Sequence, residues 1–157
     1  MSTPAKVRFA LERDQDGWPP AESEGLWAEP LGGDLYRLDN TPWFAFNVAA
    51  DDVIEARRDA DGVLWFVQVR ERGGHTVVRV IPRSDGPLGG DRQGILDVFE
   101  PLGVGAEGMS SPVNMVALDI GPDAPLSSVK SLLASGESDG WWYYEEGCIS
   151  DEWRQSR

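Results

Sequence analysis

The feature that most constrains this chain is a change of pattern at Gly73-Gly74. Before it, short apolar runs alternate with turn residues and no stretch sustains a helical period. After it, β-branched runs alternate with segments of 3.6-residue period. Two differently built halves are therefore expected, residues 1–74 and residues 75–157, both within a mixed α+β chain.

In the first half, Val7-Arg8-Phe9-Ala10-Leu11 alternates as a half-buried strand does. Leu26 to Leu31 and Leu35 to Leu38 flank Gly32-Gly33-Asp34, a hairpin signal. Trp43-Phe44-Ala45-Phe46-Asn47-Val48 reads as a further, very apolar strand. Asp52 to Arg57 reads as another alternating one, and Val63 to Val69 as the longest. About six short strands without a helix predict a small antiparallel, barrel-like half.

In the second half, Thr76 to Ile81 is a β-branched strand, and Asp91 can cap a helix burying Ile95 and Phe99. Val104 to Met109 and Val113 to Ile120 read as a hairpin. A second helix begins near Pro125, buries Leu126, Val129, Leu132 and Leu133 and ends at Gly136. Trp141 to Tyr144 closes the chain as a last strand. The resulting β-α-β-β-α-β order predicts a ferredoxin-like unit followed by a short polar tail. The stretches Asp14 to Gly25 and Arg83 to Asp91, rich in Gly, Pro and charge, read as exposed loops.

Charge and rare residues narrow the function. Asp plus Glu number 27 against 14 Lys plus Arg, a net charge of -13. That field repels phosphate backbones, so nucleic acid is not an expected partner. No apolar run is long enough to span a bilayer, and Met1 to Lys6 lacks a signal-peptide stretch, so a cytoplasmic protein is expected. The single cysteine, Cys148, and single histidine, His75, exclude thiolate clusters and multi-histidine metal sites. No metal or cofactor is expected, and no phosphate loop or nucleophile elbow occurs.

His75 is the one imidazole, and Arg79, four residues on, would share its face of a strand and suit an anionic group. Cys148 follows Glu145-Glu146, whose charge disfavours a thiolate. Glu145 and Glu146, neighbours in a strand, point to opposite faces, so one of them could serve with His75 from another strand, and Glu145 is a candidate ligand- or partner-binding residue. Of the adjacent pair Trp141 and Trp142, both cannot enter one core layer, so Trp142 is a candidate partner-binding residue and Trp153 a candidate exposed anchor.

Taken together, Glu24-Gly25-Leu26-Trp27-Ala28, Tyr36 to Phe44, the acidic turn Asp51-Asp52-Val53-Ile54, Gly74-His75-Thr76-Val77-Val78-Arg79 and Trp142 to Cys148 resemble the bacterial domain-of-unknown-function family 4265. The resemblance implies a small bacterial cytoplasmic protein and carries no catalytic residue across. It draws attention to the matching positions Asn40, Trp43, His75 and Arg79.

Two functions fit. The first is a non-catalytic accessory, immunity or regulatory protein, using an acidic, aromatic-rich surface to bind a protein or small molecule that is basic or bears an anionic group. The second is a small enzyme with His75 as general acid or base where the two halves meet.

Overall fold

The tight turn at Gly32-Gly33, both with positive φ, joins two strands whose inward residues begin the first core. The computed structural model describes residues 3–157 and divides the chain into two compact units, Met1–His75 and Thr76–Arg157. It is a mixed α+β protein whose strand pairs are almost all antiparallel.

The first unit contains β1 (Ala5–Ala10), β2 (Ser23–Gly32), β3 (Leu35–Leu38), β4 (Val53–Arg58) and β5 (Leu64–Glu71). Each strand pairs antiparallel with the next, and one parallel pairing, Arg8 with Trp65, links β5 back to β1. Period-2 alternation sends Val7 and Phe9, Leu26 and Ala28, Leu38, Ile54 and Ala56, and Leu64 into one shared core. Among the described residues of this unit there is no helix, as the absence of a 3.6-residue period requires. The longest strand is β2, with 10 residues, and not the segment after Asp61-Gly62.

One expected strand does not form. Residues 43–48 are irregular, because the buried carboxylate of Glu24 accepts backbone N–H bonds from Trp43, Phe44 and Ala45. Three donors gathered on one carboxylate curl the segment and remove it from any ladder. The expected alternation of Asp52 to Arg57 also fails, since Val53, Ile54, Glu55 and Ala56 are all buried. Glu55 tolerates burial because Arg57, Arg70 and Gln68 surround its carboxylate.

The second unit runs β6 (Thr76–Pro82), α1 (Arg92–Phe99), a 3-10 turn (Glu100–Leu102), β7 (Gly105–Met109), β8 (Met115–Ile120), α2 (Leu126–Ser138), β9 (Trp142–Cys148) and α3 (Asp151–Gln155). Its four strands form one antiparallel sheet in the order β7-β8-β6-β9. Ile95 and Phe99 of α1 and Val129 and Leu133 of α2 join Val78, Val80, Val116, Leu118 and Trp142 in one core. Leu133 is buried as expected, whereas Leu132 and Leu126 are only partly buried. Asp91 caps α1 by accepting from the Gln93 N–H.

Gly136 does not end α2, which continues to Ser138. A Cβ there would lie 2.1 Å from the Trp142 ring, so the glycine serves close packing of helix on indole. Trp153, expected in an exposed tail, is buried: α3 turns it inward, its Nε1 donates to Glu146 and the Lys130 ammonium lies over its ring.

Candidate functional site

Four of the five phenylalanines converge on a single cleft of the first unit. The strands deliver two of them: Phe9 from β1 and Phe66 from β5 stack with ring centroids 4.7 Å apart. Phe44 and Phe46 come from the irregular 43–48 segment, where the Glu24 clamp fixes the backbone. Trp18 meets the Phe44 ring edge-on at 5.9 Å, while Phe46 remains 49 % exposed at the rim. Glu12 and Asn47 are the polar residues of the lining, and the cavity measures about 270 Å³.

The loop that carries Phe44 and Phe46 is braced at its far end. Asn47 and Asp51 both have positive φ, 64° and 70°. The buried Asp52 carboxylate accepts from the N–H groups of Ala49 and Gly73 and pairs with Arg72 at 3.1 Å. Arg72 also donates to the Asn47 carbonyl. Glu24 and Asp52 thus hold the two ends of the segment that walls the cleft. A rigid wall pre-forms the cavity without help from a ligand.

The residues singled out in the sequence lie elsewhere. His75 belongs to the first unit and is partly buried, with its Nε2 3.2 Å from the Asp51 carboxylate. Arg79 lies in β6 of the second unit, where its almost wholly buried guanidinium meets Glu145 at 3.2 Å. Gly147 makes room for it, since a Cβ there would approach the guanidinium to 2.8 Å. Asn40 accepts the Trp27 N–H through its Oδ1 and so ties the segment after β3 to β2. Trp43 is half-buried and supplies one of the donors to Glu24. Trp142 is 1 % exposed, with its Nε1 donating to the Leu133 carbonyl, so it is a core residue and offers no surface to a partner.

Glu145 and Glu146 do take opposite faces, one toward Arg79 and the other toward Trp153. Cys148 is buried in β9. Among the described residues no group of three His, Cys, Asp or Glu side chains could hold a metal ion, and no helix is long and apolar enough to cross a membrane.

The family profile described as a domain of unknown function, DUF4265, matches residues 24–144. The chain belongs to the DUF4265 family. A solved structure, a hypothetical protein from Neisseria gonorrhoeae, resembles this DUF4265 chain with a TM-score of 0.75 and 18 % identity, covering 96 % of this chain and 98 % of that one. At that identity the likeness concerns the fold alone. No curated protein matches the chain significantly. The matched region includes Phe44, Phe46 and Phe66 of the cleft and begins after Phe9 and Glu12.

Sequence reading missed the cleft, although a signal for it was present. The run Trp43-Phe44-Ala45-Phe46-Asn47 places two phenylalanines at period 2, beside a chain in which Phe9 and Phe66 already lie on strands. Read as a strand, the run gave one apolar face. Folded as a clamped loop, it turns both rings toward a shared space.

Proposed function

We propose that this DUF4265 protein is a non-catalytic binding protein, an accessory, immunity or regulatory factor of the bacterial cytoplasm. It recognises its ligand through the aromatic cleft of the first unit. The observation that carries this reading is the convergence of Phe9, Phe44, Phe46 and Phe66 on one pre-formed cavity. Concave, largely aromatic cavities with a few polar groups are the usual form of a ligand site. The ring of strand pairings supports reading the first unit as a small closed barrel with its ligand site at one end. The order β7-β8-β6-β9, with two crossover helices, supports reading the second as ferredoxin-like.

A second reading keeps the enzyme. Its support is the imidazole–carboxylate contact of His75 and Asp51, the arrangement of a general base and its orienting acid. A fragment screen followed by backbone amide shifts separates the two. The binding reading expects hits to perturb Ala10, Leu11, Phe44 to Asn47 and Phe66. Hits that cluster instead around Asp51 and His75 would contradict it in favour of the enzyme.

A further inference from the structure

We infer that the cleft takes an organic cation with an apolar body, a small arylalkylammonium being its simplest form. This inference rests on the binding reading above and names the ligand class for the same cavity. Four observations converge on it.

The walls are largely aromatic. Phe9, Phe44, Phe46 and Phe66 line the cavity, and a cation bearing an aryl or alkyl body is attracted to such faces while its body fills apolar space. Several backbone donors of the wall are already committed. The N–H groups of Phe44 and Ala45 donate to Glu24 at 2.9 Å each, the Leu11 N–H donates to the Glu22 carbonyl at 2.9 Å, and Pro19 has none. Asn47 brings a side-chain amide donor to the lining, but Glu12 is its one charged residue, so a ligand carrying its own charged donor is favoured over an anion.

The charge at the rim has one sign. Neither Lys nor Arg lines the cleft, and the chain leaving β1 carries Glu12, Asp14, Asp16 and Glu22 against Arg13 alone. Arg13 is turned onto its own loop, donating to the carbonyls of Pro19 and Gly17. Arg72, which reaches the Asn47 carbonyl, is paired with Asp52. The whole chain adds a net charge of -13, which draws cations toward any cleft it opens. Finally, about 270 Å³ suits one small ring with a short arm, just under the span of roughly 300–1,000 Å³ common for drug-sized ligands.

The test titrates three probes that share one phenylethyl body into isotope-labelled protein at low salt: 2-phenylethylamine, 2-phenylethanol and 3-phenylpropanoate. Amide shifts of Phe9, Ala45, Asn47 and Phe66 report occupancy. The amine is expected to bind about tenfold more tightly than the alcohol, with the carboxylate weakest. In Glu12→Gln the amine should fall to within about threefold of the alcohol. An alcohol that binds as well as the amine, or a carboxylate that binds better, overturns the cation inference and leaves the cleft as a binding site. An amine preference unchanged in Glu12→Gln overturns it as well, because the selecting charge would then lie elsewhere. If none of the three probes perturbs the cleft, both the inference and the reading beneath it fail.

Discussion

Glu24 governs more of the candidate site than any other single residue. Its buried carboxylate accepts three backbone N–H groups, from Trp43, Phe44 and Ala45, and so sets where two of the four cleft phenylalanines stand. Buried donors left without an acceptor cost about 1–3 kcal/mol, and bonds to a charged acceptor are at the strong end. Glu24→Ala is therefore expected to lower stability by about 3 kcal/mol and to weaken cleft occupancy in the remaining folded protein. Chemical denaturation measures the first effect. A loss below about 0.5 kcal/mol would mean that the loop holds its shape without the clamp. From the sequence, Glu24 looked like one acidic residue among 27, because nothing in one dimension says which carboxylate meets three amides.

At the scale of elements, legibility followed periodicity. All nine strands and the helices α1 and α2 are expected from the sequence close to where they form, most of them because they carry alternation or a helical apolar stripe with a turn or cap beside it. The failures share a cause. The 43–48 segment, the burial of Glu55, the inward turn of Trp153 and the run of α2 past Gly136 each depend on a side chain from another element. Gly136 gives a test with a definite sign. At an exposed helix position Gly→Ala stabilises by about 1 kcal/mol, through backbone entropy. Here the new methyl would lie 2.1 Å from the Trp142 ring, whose other side contacts Phe99 at a centroid distance of 5.6 Å. Overpacking of this kind costs about 1–3 kcal/mol, so Gly136→Ala should be net destabilising by about 1–2 kcal/mol. A rise in melting temperature would show that the indole can move aside.

For the whole molecule the main lever is acid. The Gln68 amide first, then Arg70 and Arg57, hold the Glu55 carboxyl below its ordinary range, against the opposing effect of its burial. Asp59 is lowered chiefly by the Trp65 indole N–H, and Asp85 chiefly by the Arg83 guanidinium. A carboxyl with a depressed folded-state pKa contributes stability that is present above its unfolded value, about 4.3 for Glu and 3.9 for Asp, and is lost as pH falls through the folded value. Stability is thus expected to hold between pH 7 and 5 and to fall below about pH 4. Thermal unfolding followed across that range checks it, and a melting temperature constant from pH 5 to pH 3 would contradict it.

The central claim is that this protein binds through the aromatic cleft and not through its lone histidine. The most direct measurement compares two variants with a neutral probe, so that location is tested apart from charge. Indole is titrated into the wild type, Phe46→Ala and His75→Ala, with melting temperatures recorded for each. Phe46 is 49 % exposed, so its loss should scarcely change stability while removing one wall of the cavity. The account predicts that His75→Ala binds indole as the wild type does, and that Phe46→Ala binds it at least about fivefold more weakly, the loss of roughly 1 kcal/mol expected for one aromatic contact. Full binding by Phe46→Ala together with loss of binding in a stably folded His75→Ala would contradict it.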